Sequence, residues 1–340
     1  MLSVKTLRQL AGHGISRAGV ACGVFDGVHR GHQHVIQRLV SWCGDHDATP
    51  VVLTFDPHPR AVLTPDDAPP LLTLPNQKLN LLAEFGVAAA IVIDFNRTVA
   101  DLPPEEFLAT YLLNQDVCLA ALCVGSDWRF GRDGTGDTAF LKAAGHRHTF
   151  NVFPVEEVCL NGVEVGSRAI RQALQAGDLD TATAQLGREY VLAGRVREGK
   201  GMGEDLFHCP TANIIPAGQM LPADGVYAII AHLNHPLDVV SGFSAESAIP
   251  GVAYVGTSPT VTPGNETRVL ETHLFDFDAS IYGKPLAVRF VHRVRGDRTF
   301  TSLADLAEQM RADIATAKTL LAKTIPHHEG HEDHEGKTVK

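Results

Sequence analysis

Gly23-Val24-Phe25-Asp26-Gly27-Val28-His29-Arg30-Gly31-His32 reads as a strand, a tight glycine turn and two histidines three apart at the mouth of a helix. The apolar run Val20 to Phe25 suits a buried strand. After Gly31, apolar residues recur at Val35, Ile36, Leu39 and Val40, which is helical spacing. A helix N-terminus presents unpaired backbone N–H groups and a partial positive charge, so it attracts phosphate. His29 and His32 are expected to project from one side of that first turn, where they can bridge phosphate oxygens and offset charge that builds up at a phosphorus centre. A plain surface turn is the competing reading. The strand before, the helix after and the glycines at 23, 27 and 31 favour the phosphate site.

Outward from this stretch, strand and helix patterns alternate. Pro50 to Phe55 reads as a strand ending in Thr54-Phe55-Asp56-Pro57-His58-Pro59, followed by a helix over Asn76 to Phe85 and a strand over Val87 to Ile93. Pro103 to Leu113 reads as a helix opened by two prolines and two acids. Cys118 to Val124 is another buried strand, ending in Gly125-Ser126-Asp127-Trp128-Arg129-Phe130-Gly131. Arg168 to Ala176 and Leu179 to Leu186 form short helices around Gly177-Asp178. Repeated β-α-β means a parallel sheet covered by helices, with ligands beyond the carboxyl ends of its strands. The strand ends at 23–32, 54–59 and 125–136 are therefore expected to converge on one site.

Near residue 187 the pattern changes. Val191 to Val196, Gly225 to Leu233, Gly251 to Val255, Val269 to Phe277 and Leu286 to Val294 read as strands between turns rich in Gly, Pro, Asn and Asp, which implies an antiparallel barrel or sandwich. A final helix is capped by Ser302 and Asp305, with Leu303, Leu306, Met310, Ile314, Ala317 and Leu321 as its apolar stripe. The expected division is 1–186, 187–325 and a His/acid-rich tail at 326–340. The tail reads as a solvated disordered segment, with binding of a divalent transition metal as the alternative.

Composition narrows the function classes. A chain of 340 residues, 44% hydrophobic, has enough for two cores. The formal charge of −10 and the lack of a basic tract disfavour a nucleic-acid partner. No apolar run is long enough to span a bilayer, and no signal-peptide pattern stands at the start, so a cytoplasmic location is expected. Six cysteines without a CxxC pair fit reduced, mostly buried thiols. Oligomeric state is not set by any of these features.

The motifs at 23–32, 54–59 and 125–131, with Ala169-Ile170-Arg171, Pro210-Thr211-Ala212-Asn213 and Leu270-Glu271-Thr272-His273, resemble in order and spacing those of the bacterial bifunctional riboflavin kinase/FMN adenylyltransferase (FAD synthetase) family. The resemblance covers about residues 15 to 322. It implies a Rossmann-like nucleotidyltransferase sheet joined to a β-barrel kinase with a terminal helix. The implied activities convert riboflavin and ATP to FMN, then FMN and a second ATP to FAD and pyrophosphate, with Mg²⁺ as cofactor. By the same resemblance, His29, His32 and Arg171 serve adenylyl transfer. Gly23, Phe25, Asp127, Phe130 and Ser167 surround ATP there, and Asp56 and His58 belong to the FMN loop. In the barrel, Glu271 corresponds to the general base, Thr211 and Asn213 to the ATP–Mg²⁺ ligands, and Gly199, Gly201 and Gly203 to the phosphate-covering loop.

Two departures stand out. Gly166-Ser167-Arg168 replaces the family's usual Ser-Ser-Thr/Ser, adding a positive charge near the expected triphosphate. Glu204-Asp205-Leu206-Phe207-His208-Cys209 leads into Pro210, where the family usually has Gly-Phe before the proline. Two acids near a polyphosphate cost roughly 1 kcal/mol per close contact in high dielectric, enough to weaken ATP binding. Three functions follow: a bifunctional enzyme, an FAD synthetase whose barrel binds flavin without phosphorylating it, and a flavin or nucleotide sensor without turnover. Residues 23 to 32 alone would equally suit a nicotinamide or pantetheine phosphate as substrate. The 54–59 loop and the second half favour flavin.

Overall fold

The computed structural model describes residues 1–197, 212–259 and 266–323, with backbone alone at 258, 259, 266 and 267. Gly199, Gly201, Gly203, Thr211, the variant segment 204–209 and the tail from 326 lie outside the described residues.

The first half is built on six parallel strands: β1 (Leu2–Val4), β2 (Arg17–Cys22), β3 (Thr49–Asp56), β4 (Ala89–Asp94), β5 (Cys118–Gly125) and β6 (Asn151–Val155). Their order is β1-β4-β3-β2-β5-β6, every pair parallel. The central strands are buried on both faces, which is why they read as continuous apolar runs such as Val51-Val52-Leu53. The helices α1 (Arg30–Asp45), α2 (Pro59–Leu63), α3 (Pro75–Glu84), α4 (Arg97–Ala100), α5 (Pro104–Tyr111) and α6 (Thr138–His148) connect them. On α1 the stripe Val35, Ile36, Leu39 and Cys43 is buried, as the periodicity requires. From β2 the chain passes first to β3 on one side and later to β5 on the other, so the crevice beside β2 is the topological switch point. Sequence periodicity missed β1, β6 and α6. These are short or mixed in polarity, and β6 carries Pro154 at a half-buried position.

A small hairpin, β7 (Cys159–Leu160) and β8 (Val163–Glu164), leads to α7 (Ser167–Ala176) and α8 (Leu179–Leu186). Six antiparallel strands follow: β9 (Tyr190–Arg197), β10 (Ala212–Ile214), β11 (Gly225–Leu233), β12 (Ala248–Pro259), β13 (Glu266–Leu274) and β14 (Pro285–Gly296). They close as β10-β13-β12-β11-β14-β9, with β9 pairing β10. Of the two architectures the sequence left open, the barrel is the one adopted, and closure removes the free sheet edges a sandwich keeps. Leu270, Val255, Ile229 and Phe290 fill its interior. Helix α9 (Leu303–Leu321) starts at Ser302, whose side chain accepts from the Asp305 N–H, and packs Ala317 and Leu321 on the outer face against Ala228 and Ile230.

The two halves share a core. Ile170 and Leu174 of α7 and Leu179 and Leu186 of α8 lie in one apolar cluster with the barrel residues Tyr190, Leu192 and Ile229. Main-chain bonds add a strap. The Leu71 N–H donates to Gly218 O at 3.0 Å and the Met220 N–H to Leu71 O at 2.8 Å. Gln77 and Asn80 of α3 donate to the carbonyls of Leu237 and Asp238.

Candidate active sites

The strand β2 ends at Cys22, earlier than the apolar run predicts, because the chain then bends sharply. Phe25 (φ 55°), Gly27 (φ 86°) and Val28 (φ 40°) all lie in the left-handed region. Two of these are not glycine, so the turn is strained, as turns at functional sites often are. At Gly27 a side chain is excluded twice over, since a Cβ there would also meet Leu72 Cδ1 at 2.9 Å. A Cβ at Gly23 would meet the Phe25 ring at 3.1 Å.

This bend delivers His29 to the N-cap of α1. Its Nδ1 accepts the His32 N–H at 3.3 Å, and the two rings stack with centroids 3.6 Å apart. With Nδ1 accepting, the proton of neutral His29 sits on Nε2. Burial first, then the charges of Arg188 and Arg171, pull the His29 pKa down to about 4. Burial, then His29, Lys78 and Arg188, hold His32 well below the usual imidazole range. The pair is therefore neutral at neutral pH, offering fixed hydrogen-bond donors in place of full charges. His32 Nδ1 is buried and makes no hydrogen bond among the described residues.

Helix α7 brings a second N-terminus to the same place. Ser167 Oγ donates to Asp26 O at 2.8 Å, and Val165 O stands 3.4 Å from where a Cβ on Gly31 would be. Arg171 pairs with the Asp26 carboxylate and donates Nε to Pro70 O at 2.8 Å. Asp26 also accepts the N–H groups of Leu72 and Thr73 at 3.0 and 3.1 Å. The pair is largely dry, with side chains 13% (Arg171) and 5% (Asp26) exposed. Removing one partner leaves a buried charge alone, so Asp26→Ala is expected to lower stability by about 3–5 kcal/mol. A urea midpoint unchanged from the parent protein would contradict this.

Two of the three expected strand ends meet directly: Thr54 Oγ1 donates to Val24 O at 2.9 Å. Asp56 and His58 line a cleft with Val24, Asp26, Thr73 and Lys78. Burial lowers the His58 pKa, Asp26 opposes this, and Arg171, Lys78 and Arg60 add to it. The third end lies across β2, beyond β5. There Asp127 is exposed, while Phe130 is only 6% exposed and packs against Phe107, Trp128 and Phe140. Arg168 is exposed on the first turn of α7.

Lys78 was not singled out by motif. Its ammonium donates to Val24 O, Thr54 Oγ1 and Phe55 O at 3.0–3.1 Å, tying the turn after β2 to β3, and burial lowers its pKa to about 8 against the opposing pull of Asp26 and Asp56. A signal was present: Lys78 shares the buried face of α3 with Leu81 and Leu82, an apolar position holding a charge.

In the barrel, Asn213 and Glu271 stand directly opposite each other on β10 and β13, and Tyr254 of β12 flanks Glu271 on the other side. All three alternate with interior residues, so they share the outer face. Burial raises the Glu271 pKa. Tyr254 donates to Asp297 at 3.1 Å, and burial, with Asp297, Asp224 and Glu271 as further causes, raises its pKa to about 12.

Fold and geometry together define a class: a two-centre transferase, with a nucleotide-handling parallel sheet joined to a separate antiparallel barrel. The family follows from comparison. Residues 14–169 match the FAD synthetase model and residues 186–321 the riboflavin kinase model. The chain is 35% identical over 304 residues to the bifunctional riboflavin kinase/FMN adenylyltransferase of Escherichia coli (strain K12), covering 89% of this chain and 93% of that one. To the protein of the same name from Pseudomonas fluorescens it is 36% identical over 300 residues, covering 88% and 92%. The chain belongs to the bifunctional riboflavin kinase/FMN adenylyltransferase family. A crystal structure reported as a macrolide-efflux protein from Streptococcus pneumoniae superposes with a TM-score of 0.76 at 28% identity, over 92% of this chain and 96% of that one. Among the described residues of this chain, no helix is long and apolar enough to cross a membrane.

Proposed function

We propose that this chain makes FMN from riboflavin and FAD from FMN, using ATP at two separate centres, with residues 1–186 carrying adenylyl transfer and 187–325 the kinase step. The observation that carries the first centre is the stacked His29–His32 pair at the meeting N-termini of α1 and α7. An FMN phosphate oxygen attacks the α-phosphorus of ATP, and the bond to the departing pyrophosphate breaks. The phosphate is already ionised, so no strong base is needed. The task is to position two repelling anions and stabilise the leaving charge. His29 Nε2–H, the His32 ring and the two helix N-termini supply fixed donors and partial positive charge for that. Two of the five Arg171 N–H groups are engaged by Asp26 and Pro70, and among the described residues its Nη1 makes no hydrogen bond, which suits the pyrophosphate. Gly23, Phe25, Asp127, Phe130 and Ser167 are assigned to ATP; for the buried Phe130 and Phe25 the ring's part is to shape the wall. Asp56 and His58 are assigned to FMN.

At the second centre, Glu271 takes the riboflavin hydroxyl proton as the oxygen attacks the γ-phosphorus of ATP, the bond from that phosphorus to the β,γ-bridging oxygen breaks and ADP leaves. The oxygen donors of Thr211 and Asn213 suit Mg²⁺, and Asn213 stands beside Glu271 as that role requires. When bound there, Mg²⁺ would offset charge on the transferring phosphate. Gly199, Gly201 and Gly203 are assigned to covering the phosphates.

Chromatography of the products from riboflavin plus ATP–Mg²⁺, beside a reaction started from FMN, tests both centres. FMN and FAD from riboflavin are expected. FAD from supplied FMN alone would mean that the acids and the His208-Cys209 pair have silenced the kinase. No product from either would leave a binding protein and overturn the assignment.

A further inference from the structure

The FAD synthetase match ends at residue 169 and the riboflavin kinase match begins at 186, so Arg188 lies inside the kinase segment, two residues before the first barrel strand. Its hydrogen bonds point the other way. Nη2 donates to Gly27 O at 2.6 Å, and Nη1 donates to Val28 O at 3.3 Å and Leu186 O at 3.4 Å. Among the described residues Gly27 O has no other donor and no carboxylate pairs with Arg188, although Glu84 on α3 attracts it at longer range. Burial lowers its pKa to about 10, so it is charged at neutral pH.

Gly27 and Val28 are the left-handed residues just before His29. Such a turn persists only when its surroundings hold it, and two of its carbonyls end on this one guanidinium. Gln33 of α1 donates to Val28 O as well, so the Gly27 carbonyl is the contact that depends on Arg188.

We propose that Arg188, although it belongs to the chain segment of the kinase, is a positioning residue for adenylyl transfer: it clamps the Gly27–Val28 turn and thereby sets the place of the His29–His32 pair. The planar fork of an arginine suits a clamp across adjacent carbonyls. Its unpaired charge also faces the pair, as do Arg171 from α7 and Lys78 from α3. The sequence motifs give no hint of this, since Arg188 follows Gly187 at the start of a different fold unit.

This inference rests on the assignment of residues 23–32 to adenylyl transfer, so FAD formation from FMN by the parent protein is measured first. Its absence would sink that assignment. Full-length Arg188→Met and Arg188→Lys are then assayed for both steps across pH. In Arg188→Met, kcat for FAD formation is expected to fall about 100-fold, the scale of a misplaced reacting group, while FMN formation is unchanged. The acidic limb of kcat/KM for FAD formation should also move up towards the ordinary imidazole range, because a neighbouring cation that disfavours protonation has gone. Arg188→Lys keeps the charge and three donors, so it should hold the limb in place and recover part of the rate. Parent-like FAD formation in Arg188→Met would overturn the proposal. So would a loss shared equally by both steps, or one that is the same in both variants with an unmoved limb.

Discussion

His32→Ala is expected to stop FAD formation from FMN and ATP while FMN formation from riboflavin continues at the parent rate. The variant removes a ring and little else. The backbone N–H of residue 32, which caps α1 through His29 Nδ1, remains. What goes is the face against which His29 stacks at 3.6 Å and the edge contact with Phe25 at 5.2 Å. Removal of one preorganised donor at developing charge costs about 10²–10³ in rate, and loss of the stacking partner also frees the His29 ring. The two steps can be followed in one incubation by separating riboflavin, FMN and FAD. Full-rate FAD synthesis by the variant would show that the assignment of the first centre is wrong. The kinase step serves as the control for folding.

Glu271→Gln should do the reverse: riboflavin phosphorylation falls by about 10²–10⁴, the range for losing a general base, and FAD formation from supplied FMN is untouched. Glutamine preserves the shape of a side chain that stands between Asn213 and Tyr254 on the outer barrel face. Burial raises the Glu271 pKa, and a base works only when ionised. The kinase rate in the parent protein should therefore fall as pH drops through a value above the usual carboxylate range, and that limb should vanish in the variant. Equal loss of both steps would point to misfolding or to a shared site.

The two centres differ in how much of them local sequence carries. In the first, His29 and His32 sit one helical turn apart, so their proximity is a property of α1 itself and could be read from spacing. The role of Asp26 could not. It stands inside the quoted motif, but its partners, Arg171 and the Leu72 and Thr73 N–H groups, come from segments about 45 to 145 residues away. Lys78 left a trace, a charge on an apolar helix face, whereas Arg188 left none. In the barrel, Asn213 and Glu271 were named separately from motifs, and only the antiparallel register sets them opposite each other.

Strand and helix periodicity, with the glycine-marked strand ends, determined by itself that this chain is a parallel α/β unit followed by an antiparallel β unit. It also placed a glycine-marked turn at 23–32 between a buried strand and a helix, because burial on one face or two writes a period into the residues that form each element. Tertiary structure alone decided three things. The β strands close into a barrel, because pairing β9 with both β10 and β14 depends on the whole set of strands. Helices α7 and α8 join the barrel's core rather than standing apart from it. And the strained turn before His29 receives a hydrogen bond from an arginine just before the first barrel strand, since a hydrogen bond between distant segments leaves no periodic mark in either.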